Sequence, residues 1–343
     1  MKITVVVCTY NGGRKIEPTL KSLINQTHTP EIVVVNDGSV DNVREVVENY
    51  PVRLINFETN QGLSSARNAG IAAASWEIVA FCDDDCVPPS NWVENLEKIW
   101  LNMGEEVCGV GGGVVALERG TIAQRYAETA RVISAIDHET SNTFFAKILR
   151  YLKGPKTMGP RWVASLVGAN MSFRKNKIEE VGGFNPDIKF GGDETYLCEV
   201  LRKKFGENTL WFEPEILMLH AFEPKLRDTL RRSRAYGRGG GRDWVNQGGL
   251  PVLKPGLFLL GILVILGYIG GRIFFEKGVK TAVLTTLIAP YALRRHMWRG
   301  QGREGVILPG VDLLVEGAGL FGFIEGVFKT KRGFLGNKKE TAR

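Results

Sequence analysis

Runs of apolar, mostly β-branched residues alternate with helical patterns through the first quarter of the chain. The run from Ile3 to Cys8 and the run from Ile32 to Val35 are apolar throughout, which is typical of strands buried on both faces of a parallel sheet. A helical pattern lies between them, and another strand, a helix and a further strand follow as far as Cys82. This β-α-β order predicts an α/β fold with a mostly parallel sheet flanked by helices.

Three consecutive aspartates, Asp83, Asp84 and Asp85, follow the last of these strands. The carboxyl ends of strands in an open α/β sheet are where ligands bind. Clustered carboxylates suit Mg²⁺ or Mn²⁺ far better than zinc. The sequence therefore predicts a divalent cation here, with a phosphate-bearing ligand. The alternative is a solvated acidic turn before Pro88 and Pro89.

The turns after the first two strands carry further candidate binding residues. Thr9 and Tyr10 stand in the first turn, where free backbone N–H groups allow a nucleotide to approach closely. Asp37 and Asp41 stand in the second, where carboxylates accept hydrogen bonds from a base N–H and from ribose hydroxyls. Asp41 is equally suited to cap the following helix. No GxGxxG motif follows any of these strands and the sequence has no GxxxxGK[ST] motif, so a Rossmann dinucleotide fingerprint and a P-loop are excluded.

Composition and charge place the chain in the cytosol and against a membrane. The five cysteines are an odd number at irregular spacings, which favours buried thiols in a reducing compartment. No signal peptide precedes the first strand. The net charge of +7 comes largely from arginines late in the chain, and we assign them to anionic lipid because no nucleic-acid-binding motif accompanies them.

Three apolar segments follow the basic run. The segment from Gly256 to Phe275 is long enough to span a bilayer, and its alternative is a buried core helix. The segment from Val279 to Leu293 is shorter and contains Pro290. The third, from Val306 to Phe328, carries three acidic residues, so we expect an interfacial or hairpin-packed helix there and no lipid-exposed span. Arginines flank the first two segments, which indicates that both flanks are cytosolic and that the crossings are even in number or re-entrant.

The expected organisation has four parts. Residues 1–222 form a catalytic domain, 223–254 a basic juxtamembrane segment, 255–330 membrane-spanning or re-entrant helices, and 331–343 a basic cytosolic tail. The catalytic domain is then expected on the cytoplasmic face of the cell membrane.

Several motifs, taken in order, resemble family 2 glycosyltransferases of the GT-A fold. The resembling segments are Thr9-Tyr10-Asn11-Gly12, Val35-Asn36-Asp37-Gly38-Ser39 with Asp41, Asn60-Gln61-Gly62-Leu63-Ser64, Ala66-Arg67-Asn68, Phe81 to Asp85, Gly182-Gly183-Phe184 and Gly192-Asp193-Glu194. The resemblance implies a metal-dependent, inverting transfer of a sugar from a UDP- or GDP-sugar to a lipid-linked or glycan acceptor. A Gln-x-x-Arg-Trp element of processive synthases is absent, because Met158 takes the Gln position before Arg161-Trp162. Addition of a single sugar is therefore favoured.

The resemblance also implies roles for individual residues. Thr9, Tyr10 and Asp37 would hold the base and Asp41 the ribose, while Arg67 would contact the base or the diphosphate. Asp85 would be the direct metal ligand, with Asp83 or Asp84 nearer the ribose.

The catalytic base is less certain from the resemblance, because the family has a Glu-Asp pair where this chain reads Asp193-Glu194. Alignment on Leu197-Cys198 favours Glu194 over Asp193, and the alternative for both is a favourable interaction with the helix dipole. His220 is a further candidate near the metal, although a lone histidine is more often structural.

The reversed pair also leaves open a second function, a catalytically silent nucleotide-sugar-binding subunit of a membrane glycan assembly. A nucleotidyltransferase is disfavoured, since no Gly- and Arg-rich triphosphate loop follows the first strand.

Overall fold

A computed structural model of the chain describes residues 1–130, 133–137, 159–188, 192–247, 269, 291–292 and 302–340. The described residues fall into two compact units. The first contains residues 1–120, 127–130, 133–137, 159–188 and 192–222, and the second contains residues 121–126, 223–247, 269, 291–292 and 302–340.

A mixed sheet is the centre of the first unit. Its strands, within the described residues, are β1 Ile3–Thr9, β2 Glu31–Asn36, β3 Arg53–Asn56, β4 Ile78–Asp83, β5 Cys86–Val87, β6 Gly109–Ala116, β7 Ile136–Asp137, β8 Arg161–Ser165, β9 Met171–Arg174 and β10 Leu210–His220. The strand order is β3-β2-β1-β4-β9-β6-β10-β8-β7, and β5 pairs with β10. The first four strands of this order are parallel, whereas β9 is antiparallel to both β4 and β6. The predicted α/β class with a mostly parallel sheet is confirmed.

Helices connect the strands and extend into the second unit. The described helices are α1 Ile16–Ile24, α2 Val43–Val47, α3 Leu63–Ala73, α4 Trp92–Leu101, α5 Ile122–Thr129, α6 Lys175–Glu180, α7 Asp193–Phe205, α8 Leu226–Gln247 and α9 Glu304–Glu340.

Apolar cores lie on both faces of the sheet. Val5 and Val7 of β1 join a cluster with residues of α1 and α4, and Val6 between them joins a cluster with residues of α3 and α7. All three valines are at most 1% exposed. Successive side chains of a strand point to opposite faces, so an uninterrupted apolar run is what a strand covered on both sides requires.

Two strands differ from what the local sequence pattern predicts. The run from Leu166 to Phe173 has the pattern of one strand, but β8 ends at Ser165 and β9 begins at Met171, with an isolated bridge between Val167 and Asn170. Gly168 lies in this turn, and a Cβ there would stand 2.8 Å from the Arg67 guanidinium, so a side chain would not fit. The interruption serves close packing, which apolar periodicity does not report.

The other difference concerns β10, whose sequence predicts two short strands broken at Pro214. It is one strand from Leu210 to His220, with an irregular register against β6 between Glu213 and Leu217. A bulge tolerates a proline because the missing N–H is left out of the ladder. The stretch from Ile122 to Lys156, expected as a variable loop, begins with the helix α5, and residues 138–156 lie outside the described residues.

In the second unit, α8 and α9 pack side by side. A Cβ on Gly237 would stand 1.9 Å from the carbonyl oxygen of Gly319, and a Cβ on Gly241 would stand 2.1 Å from that of Phe323. These contacts advance together along both helices, so α8 and α9 run parallel rather than as the two arms of an antiparallel hairpin. Glycine permits such close backbone approach.

The C-terminal helix α9 runs past the boundary expected at residue 330. Its part from Glu304 to Thr330 is long and apolar enough to cross a membrane, with a mean hydropathy of 1.7 over an 18-residue window. The other expected apolar segments, Gly256 to Phe275 and Val279 to Leu293, lie outside the described residues except at 269 and 291–292.

Candidate active site

The carboxyl ends of β1, β2 and β4 meet at one edge of the sheet. The register pairs Cys8 with Asp83 across β1 and β4, and Thr9 with Asn36 across β1 and β2. Parallel strands end on the same side, so the turns that follow them are brought together. This edge collects the aspartates that the sequence singled out.

Asp84 is tied to the turn between β1 and α1. The Thr9 hydroxyl donates a hydrogen bond of 2.6 Å to its carboxylate, and the Thr19 hydroxyl donates one of 3.1 Å to its backbone carbonyl. A Cβ on Gly12 would stand 2.1 Å from the same carboxylate, so only glycine fits there. Burial raises the pKa of Asp84 to about 6, and the Thr9 hydrogen bond opposes this shift.

Asp37 is buried and organises the loop that enters α3. Its carboxylate accepts hydrogen bonds from the Asn60 amide at 2.9 Å and from the backbone N–H groups of Gln61 and Gly62 at 2.7 and 3.0 Å. A carboxylate offers about four lone-pair sites, so most of its capacity is used inside the protein. Recognition of a base by Asp37 remains a prediction.

Asp41 links the first two turns. Its Oδ2 accepts the Gly13 N–H at 2.9 Å, and its Oδ1 accepts the Val43 N–H at 3.2 Å at the start of α2. The capping alternative is therefore present in the structure, and the residue remains exposed for a ribose. Tyr10 is 52% exposed on the same rim, where its ring is open to a flat ligand.

Asp85 and His220 are brought together by the short strand β5. Cys86 pairs with His220 in the antiparallel ladder between β5 and β10, and the Ala221 N–H donates to the Asp85 carbonyl at 2.9 Å. As a result the His220 Nε2 lies 3.3 Å from Asp85 Oδ1. Lys15 Nζ lies 3.9 Å from the other carboxylate oxygen. The proximity of Lys15 was not anticipated from the sequence.

The donor atoms at this position suit a divalent cation. Ligand atoms of Asp85, Cys86 and His220 all lie within 4.8 Å of one another. A hydrogen bond to Cys82, together with burial, raises the pKa of the Cys86 thiol well above its usual range, and sulfur is a softer ligand than Mg²⁺ or Mn²⁺ prefers. The carboxylate of Asp85 and the imidazole of His220 remain as the fitting pair.

Arg67 lies among the acids on the other side of the site. Its guanidinium, on a side chain that is 3% exposed, pairs through Nη1 with Asp193 Oδ2. Nη2 lies 3.6 Å from Asp83 Oδ1, and Nη1 lies 4.0 Å from Glu194 Oε2. The structure shows Arg67 paired with Asp193 and almost fully buried. Its contact with a base or diphosphate stays a prediction.

The two acids at the start of α7 differ in environment. The Asp193 side chain is 2% exposed and ion-paired, whereas the Glu194 side chain is 26% exposed. Burial and the neighbouring Asp193 carboxylate raise the pKa of Glu194 to about 7, against the opposing charge of Arg67. Glu194 is thus suited to accept a proton near neutral pH.

Asn68, next to Arg67 on α3, clamps the segment that leads to α7. Its Oδ1 accepts the Phe184 N–H and its Nδ2 donates to the Phe184 carbonyl, both at 2.8 Å. The Ser64 hydroxyl donates to the Ile188 carbonyl at 3.0 Å. This role of Asn68 could not be predicted from the sequence, because its hydrogen-bond partner lies 116 positions away.

Comparison with known proteins identifies the family. Residues 4–182, just over half of the chain, match the protein family described as Glycosyl transferase family 2. The chain belongs to this family.

Relatives and a solved structure agree with the assignment. Family 2 relatives from Haloferax volcanii include the glycosyltransferase AglE, 24% identical over 78% of this chain and 81% of that protein. Another is a glucosyl-dolichyl phosphate glucuronosyltransferase, 28% identical over 62% of this chain and 66% of that protein. The mannosyltransferase PcManGT from Pyrobaculum calidifontis, solved with GDP-Man and Mn²⁺, superimposes with a TM-score of 0.52 at 19% identity, covering 96% of this chain and 86% of that one.

As a family 2 glycosyltransferase, the protein has the expected GT-A fold and uses a nucleotide sugar. These two predictions are confirmed. Residues from several of the family-like motifs lie close together in the structure. Thr9 is hydrogen-bonded to Asp84, and Arg67 contacts Asp83 through Nη2 and Asp193 and Glu194 through Nη1.

The burial of Asp84 predicts how pH acts on the stability of the metal-free glycosyltransferase. A folded-state pKa of about 6, above the ordinary 3.8, means that folding favours the protonated acid, so this contribution to stability is lost as pH rises from about 4 to 6. We expect Asp84→Asn, which keeps an acceptor for Thr9, to raise Tm relative to the unsubstituted protein at pH 7.5 and to change it much less at pH 4. Thermal unfolding in EDTA at both pH values measures this, and an equal shift at both would contradict it.

Proposed function

We propose that this family 2 glycosyltransferase transfers a single sugar with inversion, using Glu194 as the base that deprotonates the acceptor. The proposal rests on the different surroundings of the two acids at the start of α7. Asp193 is buried in an ion pair with Arg67, while the Glu194 side chain is partly exposed and has a pKa of about 7. Inversion requires a base on the face opposite the departing nucleotide, and only Glu194 of this pair is open to an acceptor.

The donor binds at the rim formed by the turns after β1 and β2. Tyr10 is exposed there for contact with a base, Asp37 shapes the loop beneath it, and Asp41 retains exposure toward a ribose. The donor is a UDP- or GDP-sugar. The PcManGT structure holds GDP-Man, which makes GDP-mannose a suitable first donor to assay beside UDP-glucose.

A divalent cation is held by Asp85 and His220, with Asp83 nearby. When bound, such an ion acts as a Lewis acid on the negative charge of the departing diphosphate. A mixed carboxylate and imidazole pair favours Mn²⁺ over Mg²⁺, which prefers oxygen alone. Lys15, 3.9 Å from Asp85, adds a positive charge at the same point.

The acceptor is a lipid-linked saccharide or phosphate at the cytoplasmic face of a membrane. One relative is named a glucosyl-dolichyl phosphate glucuronosyltransferase, and the chain carries the apolar helix α9. Single addition follows from the missing Gln-x-x-Arg-Trp element.

The pair of α8 and α9 lies along the membrane surface. Arg234 and Arg238 of α8 lie 3.0 and 3.2 Å from Glu325 of α9, so the basic helix follows the apolar one closely. Immersing both in hydrocarbon would bury the arginines of α8 at high cost. Exposed apolar residues recur on α9 at a spacing of seven, and they are Ile307, Leu314, Phe321 and Phe328. This arrangement fits an interfacial pair, with arginines at anionic head groups and one apolar stripe in the acyl region.

The first test concerns Glu194. We expect Glu194→Gln to lower kcat by about 10²–10⁴-fold, the usual contribution of a positioned base, with little change in nucleotide affinity. In the unsubstituted enzyme kcat should rise with pH through about 7, as Glu194 loses its proton. Asp193→Asn is the matched control, because it removes the carboxylate nearest to the buried Arg67 guanidinium and should mainly lower Tm. If Glu194→Gln turns over at the unsubstituted rate, Glu194 is not the catalytic base.

The alternative function, a catalytically silent nucleotide-sugar-binding subunit, has its own test. It would be favoured if the unsubstituted chain binds the donor but transfers no sugar to polyprenyl phosphate or glycan acceptors.

The second test concerns the cation. A thermal-shift panel of UDP and GDP with Mn²⁺, Mg²⁺ or EDTA should show stabilisation by one nucleotide with Mn²⁺, of about 2.7 kcal/mol at a hundredfold excess over Kd. Asp85→Asn should abolish this shift, and His220→Gln should weaken it with Mn²⁺ more than with Mg²⁺. Cys86→Ala is the control that keeps it. Full transfer activity in EDTA would refute the metal role.

The third test concerns α9. A nitroxide at Phe321→Cys in reconstituted vesicles containing anionic lipid should be more accessible to oxygen than to a water-soluble nickel chelate, at a depth of about 5–10 Å. A nitroxide at Arg231→Cys, on the exposed face of α8, should show the reverse. Water-like accessibility at both positions would contradict membrane contact, and a depth near the bilayer centre at Phe321 would favour a span.

A further inference from the structure

Arg67 is enclosed by three acids from two distant parts of the chain. Asp83 is the last residue of β4, and Asp193 and Glu194 begin α7, more than a hundred residues later. The guanidinium is within 4.0 Å of all three carboxylates. The Arg67 side chain is 3% exposed, and its terminal nitrogens face these acids.

The two terminal nitrogens of Arg67 face opposite sides of the site. Nη2 lies 3.6 Å from Asp83, on the side of the aspartate triplet, while Nη1 faces Asp193 and lies 4.0 Å from Glu194. A guanidinium is planar and rigid, so the Arg67 guanidinium sets the separation between the carboxylates of Asp83 and Glu194.

The surroundings hold the guanidinium in place. The rings of Phe81 and Phe184 lie 5.9 and 5.3 Å from its central carbon. Gly168 leaves room for Nη2, since a Cβ there would stand 2.8 Å away. Phe184 is itself held by two hydrogen bonds from Asn68, the residue after Arg67, so the ring and the guanidinium are positioned by the same turn of α3.

We propose that Arg67 is a positioning residue, which sets the distance of Glu194 from the aspartate triplet and keeps Asp193 from competing as a base. The inference rests on Glu194 being the base. It departs from the expectation that Arg67 contacts the base or diphosphate of the donor. Arg67 acts on the rate of proton removal from the acceptor and not on donor affinity.

Three variants test this, assayed by nucleoside diphosphate release from UDP-glucose or GDP-mannose, whichever the unsubstituted enzyme uses. Arg67→Met should lower kcat by about 100-fold, the size of effect that a displacement of about 1 Å produces, with the Kd of UDP or GDP within threefold. Arg67→Lys keeps the charge but not the two-sided fork, so kcat should stay more than tenfold low. If the substitutions at Arg67 instead raise the Kd of the nucleotide and leave kcat unchanged, Arg67 is a donor contact and the proposal is overturned.

The double variant Arg67→Met/Asp193→Asn separates positioning from support of the fold. It removes both members of the buried Arg67–Asp193 pair, so position 193 no longer carries a buried charge without its partner and Tm should recover relative to Arg67→Met. The proposal expects kcat to stay low in the double variant, because Glu194 has lost its spacer. Recovery of kcat together with Tm would show a structural role alone. Failure of the base assignment has a different signature, namely turnover at the unsubstituted rate in Glu194→Gln.

Discussion

The parallel pairing of β1 with both β2 and β4 is the constraint on which the rest of the molecule depends. It brings the turns after three strands to one edge and so concentrates negative charge there. Such a concentration is stable only where each carboxylate has partners. Asp37 accepts three N–H donors, Asp84 accepts the Thr9 hydroxyl, and Asp83 shares Arg67 with the acids of α7. Asp85 lies beside His220, with its Oδ1 3.3 Å from the imidazole Nε2.

One helix explains much of the family's sequence pattern. Ser64, Arg67 and Asn68 reach from α3 to the segment and helix that carry Glu194, through the contacts to Ile188, Asp193 and Phe184. Residues three and four apart share a helix face, so a single short helix can hold this distant part of the site. Gly70 lets the same helix approach β1, since a Cβ there would stand 2.3 Å from Val6. The motif from Asn60 to Gly70 thus serves positioning as much as binding.

The local sequence pattern predicted the fold correctly where an apolar run is also buried in the structure. The strands from Ile3, Ile32 and Ile78 are apolar on both faces and were predicted within one or two residues. The pattern failed around Gly168, where a turn makes room for Arg67, and at Pro214, where neighbouring strands carry the chain through an irregular register. Likewise β5 has two residues, too few to show a period, yet it places His220 beside Asp85. Each failure involves a contact between distant residues, to which local propensity is blind.

What the sequence by itself determined was the α/β alternation, the aspartates at strand ends and the family, because these depend on side-chain type and order along the chain. Only the tertiary structure gave Asp193 and Glu194 different surroundings. The two neighbours have similar carboxylates, and their difference comes from Arg67, more than a hundred positions earlier, which pairs with one and leaves the other open to solvent. Burial and charge in three dimensions set the chemistry of a carboxylate, and adjacency in sequence does not.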